Sequence, residues 1–393
     1  MAADVVVLDG ARTAIGTFGG ALAGTPPTET AAHVVRHALE RSGVAGAQIG
    51  HVVFGHVINT EPRDMYLARV AAVNGGIPVE TPALTLNRLC GSGAQAVVSA
   101  AQHLMLGDVD FALAGGAEAM SRSPHAFQAA RNGQKMGDAK MLDMMVGALS
   151  DPFEGMHMGV TAENVADEHQ IDRATQDAFA AESQRRAGAA IAEGRFRDQI
   201  APIEVTVKRQ TVAFDTDEHP KPSTTAEGLS ALRPAFRKGG SVTAGNASGI
   251  NDGAAAIVLA TASAAEKHGL KPRARLLGYA HAGVRPDIMG IGPVPAVTSL
   301  LQKTGLTIDQ FDVIESNEAF AAQACAVSKG LGLDSAKVNP NGGAIALGHP
   351  IGATGAILVL KCLAELDRTG GRHGLVTMCI GGGQGIALAF ERL

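Results

Sequence analysis

The densest chemistry in this chain lies in Leu89-Cys90-Gly91-Ser92-Gly93-Ala94-Gln95-Ala96-Val97-Val98, where an extended run ends in a cysteine and a helix begins. Thr85 to Leu89 reads as a strand, and Ala94 to Leu106 is a run of good helix formers stopped by Gly107. Cys90 is therefore expected at a helix N-terminus, where unpaired N–H groups and the positive end of the dipole bias a thiol toward the thiolate. Gly91 and Gly93 would let a ligand approach the backbone closely. On residue type alone, a buried and inert cysteine is the alternative. His349, in Gly348-His349-Pro350-Ile351-Gly352-Ala353-Thr354-Gly355, and Cys379, ahead of Gly381-Gly382-Gly383, also stand at glycine-flanked turns after apolar runs. A sulfur nucleophile needs a base, and an imidazole is the usual one. A second thiol can serve as general acid and base once its surroundings tune it. This set suits acyl transfer between sulfurs, because exchanging one thioester for another is nearly balanced in energy. It also suits carbon–carbon bond formation beside a thioester carbonyl, where the enolate needs strong local stabilisation.

The elements that must position these residues alternate between short apolar strands and amphipathic helices. Val5 to Leu8, Val52 to Phe54 and Asp110 to Ala114 read as strands; Thr28 to Arg41, closed by Gly43, and Met65 to Asn74 read as helices. Ligand chemistry in such sheets gathers at the carboxyl ends of strands. The last part of the chain repeats the order: strand Phe311 to Glu315, loop Ser316-Asn317-Glu318, helix Ala319 to Lys329, the His349 turn, helix Ala356 to Leu366, and strand Leu375 to Met378 ending at Cys379. From Val52 to Cys90 is 38 positions and from Val313 to His349 is 36, so Cys90 and His349 occupy equivalent turns of two α/β halves. Packed about a pseudo-two-fold axis, those turns meet in one cleft; chance similarity of two α/β halves is the alternative.

Residues 121–248 interrupt the repeat. Arg122, Arg131, Lys135 and Lys140 make the stretch polar, a helix from Arg173 to Glu193 is capped by Asp172 and stopped by Gly194, and Pro220, Pro222, Gly239 and Gly240 mark irregular loops. The segment reads as an insertion over the core, sized for a large substrate. Ala254 to Leu259 then returns as the last strand of the first half. The organisation expected is a first half of 1–120 plus 249–270, a loop domain of 121–248 and a second half of 271–393.

Composition narrows the function classes. With 393 residues, 46% of them hydrophobic and 18% charged, the chain is a folded protein of more than one ordinary core. A net charge of -5 leaves no basic footprint for nucleic acid, and no apolar run reaches the ~18 residues of a membrane span. Asp4-Val5-Val6-Val7-Leu8 follows Met1 without a basic leader, and Glu391-Arg392-Leu393 is not a peroxisomal address, so a cytoplasmic protein is expected. Four cysteines, Cys90, Cys325, Cys362 and Cys379, are widely spaced without a CxxC pair, which argues against a disulfide framework and a zinc site.

Asn87 to Gly93, Asn317-Glu318-Ala319-Phe320, Asn339 to Gly355 and Cys379 to Gly385 resemble the motifs of the thiolases, the acetyl-CoA acetyltransferases and 3-ketoacyl-CoA thiolases. The likeness runs from Arg12-Thr13 to Phe390, and Thr60 to Tyr66 with Met378 to Gln384 is most similar to bacterial biosynthetic β-ketothiolases associated with polyhydroxyalkanoate precursors. The resemblance implies the five-layered αβαβα thiolase fold with an inserted loop domain, and reversible Claisen condensation of acyl-CoA molecules. It implies Cys90 as nucleophile, His349 as its activator and Cys379 as the base for the α-proton. Asn317 would hold a water that forms an enolate oxyanion hole with His349, unless it is simply a helix N-cap, and the N–H groups of Cys90 and Gly381 would form a second hole. Coenzyme A would lie on the insertion: Leu149 beside the adenosine, His157 and Met158 along the pantetheine and acyl pocket, Ser248, near Ala244, on a pantetheine amide, and Phe236, Met289, Ala319 and Phe320 as the apolar wall. Lys221 stands where relatives often carry an arginine facing the coenzyme phosphates, a point charge instead of a planar fork. The resemblance further implies no metal or cofactor, acyl-CoA and CoA as the only small-molecule partners, and a homodimer or homotetramer. Two related readings are a ketoacyl synthase, which sets two histidines against its cysteine, and a carrier that keeps the fold without the chemistry.

Overall fold

Strand β1 (Val5–Arg12) is buried along almost its whole length, as a strand covered on both faces must be. It comes from a computed structural model describing residues 3–207 and 209–393. In chain order the first half continues with α1 (Pro27–Ser42), β2 (His51–Gly55), α2 (Leu67–Asn74), β3 (Ala83–Leu86), α3 (Ser92–Leu106) and β4 (Phe111–Ala119). After the insertion, which includes α4 (Met158–His169) and α5 (Arg173–Ala192), come β5 (Asn251–Thr261), β6 (Ala274–Gly283) and α6 (Pro293–Thr304). The chain closes with β7 (Val313–Ser316), α7 (Ala321–Leu331), α8 (Thr354–Thr369), β8 (His373–Ile380) and β9 (Gln384–Arg392). Local chemistry sets the ends: α1 starts on Pro27 and stops at Gly43 with φ 69°, and the Asp172 carboxylate accepts the Thr175 N–H at 2.8 Å to cap α5.

The strands pair in the order β7-β8-β9-β6-β1-β5-β4-β2-β3. The two halves have the same plan. In the first, β1 and β5 pair antiparallel, as do β5 and β4, while β4–β2 and β2–β3 are parallel. In the second, β6–β9 and β9–β8 are antiparallel, β8–β7 is parallel, and an isolated parallel bridge from Ile314 to Val338 stands where β3 stands in the first half. A strand leads into the Cys90 turn, but ahead of His349 only that one bridge forms, and a short helix, Ala344–Leu347, leads into the turn. The halves are joined edge to edge by β1 and β6.

Alternation along the strands sorts the core into layers. Val7, Ala114 and Ile257 from the first half, and Val376, Met378 and Leu388 from the second, all face α3 and α8 in the middle. Val6, Leu113 and Val258 face α1 and α2 on one outside, and Leu375, Ala387 and Ala389 face α6 on the other. The result is the αβαβα arrangement. α3 and α8 meet with bare backbone between them: a Cβ on Gly93 would lie 2.7 Å from the Ala356 nitrogen, and one on Gly355 would lie 2.1 Å from the Ala94 nitrogen. That contact brings the starts of the two helices together.

Residues 121–250 add two small hairpins, His125–Phe127 with Met141–Asp143 and Ile203–Val207 with Gln210–Phe214, besides α4 and α5. The insertion is pinned to the first half by a buried pair, Asp217 accepting two bonds from Arg12 at 2.8 and 2.9 Å. Several sequence boundaries shift by two residues: α3 begins at Ser92 and not Ala94, the Met65 segment opens as a 3-10 turn over Pro62–Tyr66 with α2 starting at Leu67, and α7 begins at Ala321 and not Ala319. Among the described residues, no helix is long and apolar enough to cross a membrane.

Candidate active site

Cys90 sits on a tight turn between β3 and α3. The Gly91 and Ser92 N–H groups close the turn onto the Arg88 and Leu89 carbonyls at 3.0 and 2.9 Å, while the Ser92 hydroxyl accepts the Arg88 N–H at 2.8 Å. Leu89 is forced to φ 45°, in the left-handed region that a branched side chain seldom enters. Backbone strain at that point aims the next residue, and the Cys90 side chain lines a cavity of about 360 Å³.

Leu89, Cys90, Leu149, His157, Met158, Phe236, Ala244, Ser248, Met289, Ala319, Phe320, His349 and Gly381 all border that cavity. Cys379 stands directly behind the wall, packed with Met158, Met289, Ala319 and Phe320. Asn317 is fully buried against His349, its Nδ2 3.4 Å from the imidazole Nε2. Lys221 is different: it is exposed, lies outside the lining, and donates its backbone N–H to Gln184 at 2.7 Å. The sequence-derived set thus lines one pocket, with Cys379 and Asn317 behind its wall and this lysine apart from it. Asn317 is no helix cap, because α7 begins four residues later with Phe320 in the capping position.

The imidazole is held in one tautomer. Thr354 Oγ1 donates to the Pro350 carbonyl at 2.9 Å, so toward His349 Nδ1, 2.7 Å away, it can only accept. Nδ1 therefore carries the proton, and Nε2 keeps its lone pair, with Asn317 Nδ2 3.4 Å away. Burial lowers the His349 pKa to about 4, which keeps the ring neutral. The His349 N–H is bound by Asn251 Oδ1 at 2.9 Å, and Asn251 Nδ2 reaches the Gly16 carbonyl at 2.9 Å.

Cys90 departs from the sequence expectation. Its thiol is pushed up to about 11, chiefly by burial; the N–H groups of Gly381 and of Cys90 itself pull the other way, and the Glu118 charge adds to the rise. The helix starts two residues beyond the sulfur, and dehydration outweighs its dipole. The resting pair is a neutral thiol beside a neutral imidazole. Cys379, fully buried in β8, is also raised by burial and next by the charge of Cys90, so a negative charge on one sulfur opposes a charge on the other. It lies inside the strand and not past its end. Gly382 and Gly383, with φ 83° and 87°, fold the chain back into β9 and place Gly381 over Leu89 and Met158.

The wall is built by aromatic contact. His157 Nδ1 accepts the Gly159 N–H at 3.0 Å, which caps α4, and the ring stacks on Phe236 at 4.8 Å; Phe236 meets Phe320 edge-on at 6.0 Å. Ser248 donates its N–H to the Ala319 carbonyl at 3.0 Å, tying the insertion to the second half. Among the described residues no three His, Cys, Asp or Glu side chains are grouped to hold a metal ion. Sequence reasoning missed Leu89, Ala148, Ile250 and Ile351 in the wall, and Thr354, Asn251 and Glu118 behind it. Thr354 was within reach, five residues after His349 in a quoted motif, and Asn251 is a polar residue opening a wholly buried strand.

Comparison with known proteins matches the chain along nearly its whole length. The family description "Thiolase, N-terminal domain" matches residues 5–263, and "Thiolase, C-terminal domain" matches residues 270–392. The chain belongs to the thiolase family. This thiolase is 62% identical to the Beta-ketothiolase BktB of Cupriavidus necator over the full length of both chains. It is 51% identical to the Acetyl-CoA acetyltransferase of Pseudomonas aeruginosa over 99% of each. Its fold matches the crystal structure of the Bacillus anthracis acetyl-CoA acetyltransferase with a TM-score of 0.98 at 45% identity, covering 100% of this thiolase and 99% of that chain. The human mitochondrial 3-ketoacyl-CoA thiolase in complex with CoA matches at 0.96 and 43%, covering 100% and 98%.

Proposed function

We propose that this thiolase is an acyl-CoA C-acyltransferase that condenses two acetyl-CoA molecules, or an acyl-CoA and acetyl-CoA, reversibly to a 3-ketoacyl-CoA and CoA. The observation that carries the reading is the convergence of Cys90, His349 and Gly381 on one apolar cavity, with Cys379 and Asn317 immediately behind them. In the first step Cys90 attacks the thioester carbonyl while His349 Nε2 takes its proton. The N–H groups of Cys90 and Gly381 hold the oxyanion, and CoA leaves as its thiol with the proton returned from His349. In the second step Cys379, as its thiolate, removes the α-proton of acetyl-CoA, and the enolate oxygen is held by a water on Asn317 and by His349 when its Nε2 carries a proton. The carbanion attacks acyl-Cys90, Cys90 departs as its thiolate, and the proton that Cys379 took passes to Cys90, which restores the Cys379 thiolate. Once Cys90 carries the acyl group it can no longer ionise, so no sulfur charge opposes a thiolate at Cys379, which favours this order of events.

Residues 121–248 act as the coenzyme-gripping domain between halves 1–120 plus 249–270 and 271–393, with Lys221 as a surface contact for phosphate. The reaction asks for no metal or cofactor. The reading extends to a cytoplasmic enzyme supplying polyhydroxyalkanoate precursors. A homodimer or homotetramer is supported by apolar exposure at the sheet edge, Leu84 with Met65 and Tyr66, and on the first hairpin, Phe127 with Met141. The test is acyl labelling by acetyl-CoA together with thiolysis of acetoacetyl-CoA by free CoA. Cys90→Ala is expected to abolish both; labelling equal to the parent, or a folded parent that cleaves nothing, would overturn the reading in favour of a carrier.

A further inference from the structure

The loop bearing His349 belongs to the second half, yet it is fastened from the first. Glu118, near the end of β4 and only 1% exposed, accepts three backbone N–H groups: Gly352 at 2.9 Å and Val57 at 3.2 Å on Oε2, and Ile58 at 3.1 Å on Oε1. One carboxylate therefore ties the end of the His349 loop to the segment after β2, across the seam between halves. The fit leaves no slack. A Cβ on Gly352 would lie 2.6 Å from Glu118 Oε2, while Cβ atoms on Gly55 and Gly116 would come within 2.8 and 2.2 Å of the Gly352 carbonyl oxygen. Asn251 holds the other end of the loop through the His349 N–H.

We propose that Glu118 is a positioning residue for acyl transfer, whose carboxylate sets the His349 loop against the Cys90 turn. It touches no reacting atom. Its neighbours are consistent with this: His56 Nδ1 lies 3.6 Å from Glu118 Oε1 and donates to the Ala117 carbonyl at 2.9 Å, and the far nitrogen of His56 faces Asp64 at 3.9 Å. The groups whose charge bears on the Cys90 sulfur are Glu118 and Cys379, with His349 across the cavity. Glu118 is thus first a clamp; burial pushes its own pKa up, against the N–H groups it accepts, and when ionised its charge also raises the Cys90 thiol. An amide in its place keeps the shape but turns one of the two oxygens into a donor, so an N–H of the clamp loses its acceptor.

The inference rests on the acyl-Cys90 reading, and the unsubstituted protein, labelled by acetyl-CoA in the same experiment, separates the two: a parent that is not acylated defeats that reading and not this one. Glu118→Gln is expected to slow single-turnover acylation of Cys90 by about 10- to 100-fold while the KM for acetyl-CoA stays within about twofold. It is also expected to move the pH profile of Cys90 alkylation by iodoacetamide to lower pH, because a negative charge has been removed. Glu118→Asp is the second variant: it keeps the charge but draws the oxygens off Gly352, so acylation slows about tenfold or more while the alkylation profile stays in place. Parental acylation in either folded variant, a loss confined to KM, or failure of both variants to fold would overturn the proposal and leave Glu118 a structural residue.

Discussion

Thr354 Oγ1 lies 2.7 Å from His349 Nδ1, and because its own proton is committed to the Pro350 carbonyl it fixes which imidazole nitrogen is free. Thr354→Val preserves the shape of the side chain and removes the acceptor. The Nδ1–H is then buried without a partner, at a cost of about 1–3 kcal/mol. Acylation of Cys90 should fall about tenfold or more with the KM for acetyl-CoA nearly unchanged, measured by steady-state kinetics, and the melting temperature should drop. Parental kcat would show that the tautomer is held by something else.

The pH dependence of stability has a defined sign at each end. His349 is held near 4 when folded against 6.5 when unfolded, so the unfolded chain binds the extra proton between those values. Its contribution to stability is complete above about 6.5 and is lost as pH falls toward 4, by roughly 3 kcal/mol. Cys90 behaves oppositely: raised to about 11 from 9.0, it contributes fully below 9 and its contribution fades as pH climbs to 11. Urea titrations of the parent and His349→Gln at pH 7 and pH 5 should show the gap between them change over that interval; a constant gap would contradict a dehydrated, neutral imidazole. Alkylation of Cys90 should likewise rise through pH 9–11 and show no plateau near 6.

Cys379→Ala separates the two half-reactions. The residue packs with the cavity wall while Cys90 and His349 remain untouched. Acyl labelling of Cys90 should persist within about threefold, whereas condensation and thiolysis should fall by about 100-fold or more, within the range expected for loss of a general acid–base group. Labelling lost along with turnover would place Cys379 in the first step.

Gly93→Ala addresses the contact between α3 and α8. The new methyl would lie 2.7 Å from the Ala356 nitrogen, and backbone cannot rotate away as a side chain can. About 1–3 kcal/mol of destabilisation is expected. Activity should fall further than stability, because Cys90 and His349 precede the two helices being pushed apart. Gly107→Ala, at the far end of α3 with open space around its Cβ but φ 77°, should cost stability alone.

Much of this was legible from residue order. The duplication could be read because strands and helices recur at matching intervals, and Cys90, His349 and Cys379 because each breaks an apolar run beside glycine. Charge state was not legible: helix position argued for a thiolate at Cys90, while the dominant effect is burial, a property of packing that no local pattern records. Nor were Glu118 and Asn251, whose partners Gly352 and His349 lie far along the chain. Lys221 could be noticed but not placed, because a solvated lysine and a phosphate contact have the same sequence context.

Gly93 and Gly355 have one more consequence. The gap between nucleophile and base is gauged by peptide planes, and no side chain intervenes whose length mutation could adjust. Selectivity for the acyl group can drift along the aromatic and methionine lining, while the reactive spacing is inherited as a fixed dimension of the scaffold.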